Sequence, residues 1–279
     1  MSVRIVTDST CDLPPETIAQ YGILVAPLYI NVGKQGYLDG VDITRQEFYE
    51  RLPSFPVHPT TAAPSPNKFR ALYDTLADEG ASHVLSIHIS QALSAVVDVA
   101  RVAAKETRSV AVTVLDGGQL SLGTGFLVET AARLAAAGKQ VGEILSVLQD
   151  QIKRTHVFAA LDTLEFLKRS GRMNGVVAGL GSLLQLKPIL TMYDGKPGSE
   201  RVRTHSRAIE RVIEMLRQVG AIERVALVHT NAPSYVAELR QKASHLLPTG
   251  EILTADITPV IGAHIGPGAA GFAVIKATG

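Results

Sequence analysis

His83-Val84-Leu85-Ser86-Ile87-His88-Ile89 runs straight into Ser90-Gln91-Ala92-Leu93-Ser94-Ala95, and Val110-Ala111-Val112-Thr113-Val114-Leu115-Asp116 follows about one helix later. The two outer runs are apolar and of strand length, and the stretch from Ser94 reads as an apolar helix. A strand, a hydroxyl-rich turn, a helix and a second strand form a β-α-β unit, whose strands lie parallel in one sheet. Upstream, Val3–Thr7 reads as a strand, and Pro14–Tyr21 as a helix with proline near its first turn and Gly22 at its end. Ile23–Val32 reads as a second strand. Thr44 and Glu47 have capping-box spacing, which predicts a helix over Arg45–Leu52. Ser65-Pro66 opens another helix, with Ser65 as its cap and Gly80 at its end.

Downstream of Asp116, helices are expected over Phe126–Ala137 and Val141–Arg154. The remainder repeats the theme less regularly. Val157–Leu161 reads as a strand and Thr163–Arg169 as a short helix. Lys187–Tyr193 and Glu200–Thr204 flank Asp194-Gly195-Lys196-Pro197-Gly198 and predict a hairpin with a loose turn. Helix Arg207–Val219, strand Arg224–His229, helix Ser234–Leu246, strand Ile252–Asp256 and strand Phe272–Lys276 complete the reading. No fixed-period repeat and no Pro/Ser linker occurs, and the expected boundary lies near residue 155. The chain is therefore read as two α/β domains with largely parallel sheets, 1–155 and 156–279. A ligand is expected in the crevice between them or at the C-terminal ends of strands.

Charge narrows the function classes. The 27 Lys and Arg balance 26 Asp and Glu to a net +1, which leaves no general electrostatic footprint for nucleic acid. Only 14 residues are Phe or Tyr and none is Trp, so there is no obvious base-stacking platform. Cys11 is the single cysteine, which excludes an internal disulfide and a thiolate-rich zinc site and suits a reducing cytosol. The chain reaches Asp8 before any apolar signal core forms, and Ile23–Val32 is too short to cross a bilayer. A cytoplasmic protein with no transmembrane segment is expected.

Familiar catalytic motifs are missing. The Gly-Lys pairs at Gly33, Gly138 and Gly195 lack the other residues of a phosphate-binding loop, and no G-x-S-x-G, HExxH or paired cysteines occur. Gly266-Pro267-Gly268-Ala269-Ala270-Gly271 matches G-x-G-x-x-G but has no β-α-β unit after it, so close backbone packing is the better reading.

Several residues stand where a site could form. His58-Pro59-Thr60-Thr61-Ala62-Ala63-Pro64-Ser65-Pro66 is a stiff, extended segment in which one threonine could face a ligand. The turn Ser90–Ala95 exposes backbone N–H groups at a strand's C-terminal end, where a carboxylate or phosphate oxygen fits; equally, Ser90 or Ser94 could simply cap the helix. His264 lies in a glycine-rich stretch and Arg172 at a basic helix end, and either could be structural. Asp8, Asp12 and Asp116 follow strands and read as turn caps rather than Mg²⁺ ligands.

Together these segments resemble the DegV family of bacterial fatty-acid-binding proteins, almost from end to end. Thr7-Asp8-Ser9-Thr10-Cys11-Asp12-Leu13-Pro14 is similar to its opening TDSxxDLP, and Thr61-Ala62-Ala63-Pro64-Ser65-Pro66 to its TSQPSP with alanines for Ser-Gln. Ser90–Val96 keeps the Leu-Ser core of SSxLSGT. Leu164–Met173 is similar to LxxLxxGGRI, Gly181–Leu190 to GxLLxIKPIL, and His264–Ala269 to HxGPGA.

The resemblance implies two α/β domains with one long-chain fatty acid of the palmitate, stearate or oleate class in a tunnel between them. Its carboxylate would be held by Thr61 and Ser94 with the N–H groups near Ala95, while His264 lies close to the head and Arg172 near the mouth. Leu161, Leu164, Phe166, Leu180, Leu183, Leu184, Leu186 and Ile189 supply aliphatic stock for the tail. It further implies a carrier that is not an enzyme, that needs no cofactor and no metal, and that presents the acid to a separate ATP-binding kinase subunit. There His264 or Arg172 would orient the carboxylate or stabilise charge. Two other readings stay open: an acyl hydrolase or transferase using Ser94 or Thr61 with His264 as base, and a small-sugar (dihydroxyacetone-like) binder.

Overall fold

The computed structural model describes residues 2–172 and 186–278. Up to residue 116 the strands are β1 (Val3–Asp8), β2 (Leu24–Ala26), β3 (Tyr29–Val32), β4 (Gln35–Leu38), β5 (Thr60–Ala62), β6 (His83–His88) and β7 (Ala111–Asp116). From residue 155 they are β8 (Thr155–Ala160), β9 (Lys187–Tyr193), β10 (Lys196–Val202), β11 (Ile222–His229), β12 (Thr254–Asp256) and β13 (Ala270–Lys276). The order β2-β1-β6-β7 makes a wholly parallel sheet, as the β-α-β reading requires. Strands β4-β3-β5 form a small antiparallel sheet.

The second half departs from the expected parallel character. Its sheet, β10-β9-β8-β13-β11-β12, is antiparallel at every pairing except β11–β12. The α/β class stands, but β9 and β10 are joined by the two residues Asp194 and Gly195, a connection that only an antiparallel pair allows.

Helix Leu122–Ala136 packs between the two large sheets. Its first two turns are buried on every side, and Leu122, Phe126, Leu127, Val128 and Ala131 are fully buried; Glu129, Thr130 and Arg133 follow toward the surface. Gly125 lets the helix approach the backbone carbonyl of Cys11, and Gly123 admits the side chain of Val157. One core therefore contains Ile5, Leu85 and Ile87 of the parallel sheet together with Val157, Val228 and Ala273 of the six-stranded one. Helices His205–Val219 and Pro233–Lys242 cover the other face of the six-stranded sheet. Helices Pro66–Asp78 and Val96–Glu106 cover the other face of the parallel one, and helix Arg45–Arg51 packs beside helix Pro259–Ile265.

Five local expectations change. Ile23–Val32 is two strands in two sheets, because Pro27 has no N–H to donate and breaks the run. The hairpin turn is tight: Asp194 (φ 47°) and Gly195 (φ 72°) alone make it, so β10 begins at Lys196 opposite Tyr193. Ser65 occupies the cap position of helix Pro66–Asp78 but its side chain makes no capping bond. The next helix starts at Val96, with Ala95 at the cap position, so Ser94 caps nothing. Finally, Pro259–Ile265 is a helix, although its Gly262 and a run that is apolar except for His264 give no amphipathic period. The capping box at Thr44 and Glu47 and the left-handed Gly22 are as expected.

Candidate functional site

Thr61 is the central residue of β5, paired with Ile30 of β3. Its Oγ1 lies 2.8 Å from Nε2 of His264, in the last turn of helix Pro259–Ile265. Ser94 and Ala95 end the turn after β6. That turn is fixed by Ser90, whose N–H donates to the Gln119 carbonyl at 2.8 Å and whose carbonyl accepts from the N–H groups of Leu93 and Ser94. Asp116 Oδ1 accepts from the N–H groups of Gln91 (3.2 Å) and Gly118 (2.9 Å), so its role is turn capping.

One cavity of about 230 Å³ is lined by Thr61, Ser94, Ala95, Arg172 and His264 together. All five candidate residues therefore meet at one place. Thr61, Ser94 and His264 are half-buried, whereas Ala95 and Arg172 are exposed, so the polar end faces the surface. Thr10, missed in the sequence, also lines the cavity, but its hydroxyl donates to Asp8 at 2.5 Å and offers the cavity only lone pairs. The rest of the described lining is aliphatic and contains no acid.

A second cavity of about 70 Å³ shares Leu93, Leu120, Leu190, Ile261 and Ile265 with the first and ends at Val157, Met192 and Pro197. The two form an apolar compartment leading away from the hydroxyls. Leu161 lines it, as the sequence suggested, but Ile189 does not. Alternation along β9 turns Leu190 into the compartment and Ile189 to the opposite core, among Phe158, Ile209 and Phe272. Leu180, Leu183 and Leu184 lie outside the described residues.

The electrostatics suit an anion held by neutral donors and one cation. Burial, then the charges of Arg172 and His58, push the His264 imidazole down to about 4, so it is neutral near pH 7. Its Nδ1 is buried with no partner. If Nε2 carries the proton, Thr61 Oγ1 accepts it and keeps its own hydroxyl proton for a ligand. A neutral imidazole whose second nitrogen meets no carboxylate is poorly arranged as a general base, which counts against the hydrolase reading.

A triad-like array does occur elsewhere. Ser86 Oγ lies 2.7 Å from His88 Nε2, and His88 Nδ1 lies 2.9 Å from Asp8 Oδ2. All three residues are fully buried and Ser86 also meets Tyr73 OH at 2.9 Å, so the array has no face toward either cavity. Cys11 is buried, and burial raises its thiol to about 12, which makes it unreactive. The glycines of the G-x-G-x-x-G match serve packing: a methyl on Gly271 would collide with the Phe158 carbonyl, and one on Gly266 with the Phe166 ring. Among the described residues, no cluster of three or more His, Cys, Asp or Glu could hold a metal, and no helix is long and apolar enough to cross a membrane.

The DegV family model, which describes an uncharacterised protein family, matches residues 2–277 of this chain. The chain belongs to the DegV family. A DegV domain-containing protein of Streptomyces coelicolor is 35% identical over 277 residues, covering 98% of each chain. Among solved structures, a DegV family protein of Thermus thermophilus described by its fatty acid binding is 37% identical, with a TM-score of 0.90 and coverage of 99% and 100% of the two chains. DegV of Bacillus subtilis, described as a fatty acid binding protein, is 30% identical with a TM-score of 0.90 and the same coverage.

Proposed function

We propose that this DegV protein binds one long-chain fatty acid of the palmitate, stearate or oleate class. Its carboxylate sits at Thr61 and Ser94, assisted by the Ala95 N–H, with His264 beside it and Arg172 at the mouth. The observation that carries this reading is the meeting of those five residues at the polar end of a compartment that is otherwise aliphatic apart from Thr10 and a few small groups. The Thermus thermophilus and Bacillus subtilis relatives, described as fatty-acid-binding, support it. A small sugar would leave most of its hydroxyls facing Leu, Ile and Val, unpaired. The chain is read as two α/β domains meeting near residue 155 with the acid between them. This agrees with a cavity lined from both Thr61 and Ser94 on one side and Leu190 and His264 on the other.

The energetics divide the labour. Burying about 14 methylenes at about 0.8 kcal/mol each contributes roughly 11 kcal/mol before the costs of immobilisation. Charge-assisted hydrogen bonds add about 1.5–3 kcal/mol each. The tail supplies affinity; the hydroxyls fix register.

Mass spectrometry of organic extracts from the purified protein, beside a Thr61→Ala/Ser94→Ala double variant, tests this. Near-stoichiometric fatty acid, depleted in the variant, is expected. No co-purifying acid, and no uptake of added oleate, would overturn the reading.

The finer role is presentation. As a cytoplasmic carrier, the protein hands its bound acid to a separate ATP-binding subunit, where the γ-phosphoryl passes to a carboxylate oxygen and ADP leaves. The absent phosphate-binding loop supports this division, as does the exposure of Ala95 and Arg172 at the head-group end. Loaded protein with ATP alone should yield no acyl phosphate, trapped as a hydroxamate, until a fatty-acid kinase subunit is added. Formation without any added protein would refute it.

A further inference from the structure

The turn that leaves β1 holds a carboxylate that touches neither cavity yet secures one polar wall. Asp12 is buried, with side-chain exposure of 0%, and adopts the left-handed region at φ 55°. Its Oδ1 accepts from the Thr258 N–H at 3.0 Å and from the Arg45 guanidinium at 3.0 Å, and its Oδ2 accepts from Ser121 Oγ at 2.5 Å. A buried charge and a positive φ on a non-glycine residue both cost stability, and such features persist where surrounding bonds over-determine them.

Thr258 is the cap of helix Pro259–Ile265. Its Oγ1 accepts from the Val260 N–H at 3.3 Å and donates to Asp39. Arg45 also donates to the Asp256 carbonyl, and Tyr49 OH donates to the Ile257 carbonyl at 2.9 Å. Residues 12, 39, 45 and 49 thus grip the three residues that lead into the helix. Along that helix, Val260, Ile261, His264 and Ile265 face the cavity, and Gly262 backs onto Tyr49. The helix is only seven residues long, so its entry point and its far end move together.

We infer that Asp12 is a positioning residue for head-group recognition: through Thr258 it sets helix Pro259–Ile265, and so the His264–Thr61 hydrogen bond that presents the Thr61 hydroxyl. The inference rests on the fatty-acid reading above. Without the Asp12 grip the helix is free to shift, His264 leaves Thr61, and the hydroxyl loses its fixed direction. The tail compartment, walled mostly by other elements, is affected less.

The experiment measures dissociation constants for palmitate and for hexadecanol, which has the same tail and a neutral head. Asp12→Ala should weaken palmitate about tenfold while changing hexadecanol by no more than about threefold. In a Thr61→Ala background the same substitution should weaken palmitate no further, because the group it positions is gone. Equal weakening of both ligands, or an undiminished effect in the Thr61→Ala background, would overturn the inference and assign Asp12 a purely structural part. If Asp12→Ala does not fold, Asp12→Asn, which keeps the side chain's size but offers the Thr258 N–H and Arg45 only a neutral, weaker acceptor, is read by the same criteria. A wild-type protein that binds neither ligand fails the fatty-acid reading itself, and the inference with it.

Discussion

Thr61 Oγ1 and His264 Nε2 lie 2.8 Å apart, although 203 positions separate the two residues in the chain. One comes from a three-residue edge strand and the other from a seven-residue helix, neither stable alone. The head-group site therefore exists only when the small antiparallel sheet and helix Pro259–Ile265 are docked together.

Thr61→Ala should weaken palmitate by about 10- to 100-fold, from the loss of a charge-assisted hydrogen bond of about 1.5–3 kcal/mol. Thr61→Ser should recover most of the loss, since the hydroxyl and not the methyl is what the carboxylate meets. Isothermal titration calorimetry with both variants checks this; a Thr61→Ser variant as weak as Thr61→Ala contradicts it.

Ala159 lines the second cavity, opposite Gly271 of β13. Ala159→Leu puts three more carbons into a space of about 70 Å³. The extracted acids should shift to shorter chains, the longest losing about 0.8 kcal/mol for each methylene displaced. An unchanged chain-length profile in a folded variant would show that the tail takes another path.

The pH dependence of Asp12 follows from its burial. Desolvation, opposed by Arg45 and by the Ser121 and Thr258 hydrogen bonds, raises its carboxyl from 3.8 to about 6. Between those values the folded protein holds a proton that the unfolded chain has released, so this stability is present below pH 3.8 and is lost as pH rises through about 6. Asp12→Asn mimics the protonated form. Its melting temperature relative to the wild type should therefore rise from pH 4 to pH 7. His264 shifts the opposite way, its contribution being full above 6.5 and lost as pH falls through about 4, and it cancels in the comparison. A flat difference between the two proteins contradicts this account.

Gly271→Ala should destabilise the fold by about 2–4 kcal/mol, because the added methyl meets the Phe158 carbonyl and Ala159 in the middle of the sheet. Urea denaturation measures the loss. A neutral effect on stability would undermine the packing role given to the G-x-G-x-x-G match.

Ser86→Ala removes the middle of the buried Tyr73–Ser86–His88–Asp8 chain and leaves two polar groups unpaired. Stability should fall by about 1–3 kcal/mol while retained fatty acid is unchanged. Loss of bound acid from a folded Ser86→Ala protein would mean that the array does reach the ligand.

Much of this was legible in the chain itself, because local signals act over one turn or one strand. The Thr44–Glu47 box, the Gly22 stop and the parallel β1-β6-β7 core depend on neighbours a few residues away or on β-α-β connection geometry. Thr61, Ser94, Ala95, Arg172 and His264 were picked out by motif similarity, and they line one cavity. Tertiary structure alone decided the rest. Pro27 divided one apolar run between two sheets, and the second sheet turned antiparallel, since strand partners are chosen by packing and not by the strand's own residues. Alternation in β9 gave the cavity Leu190 in place of Ile189, a difference of one residue that only the sheet's orientation settles. The helix bearing His264 carries no period, and its cap is completed by Asp12 and Asp39, 246 and 219 positions from Thr258. Bonds between residues that far apart leave no trace in local spacing. They form only where burial makes an unpaired carboxylate costly enough to fix its partners in place.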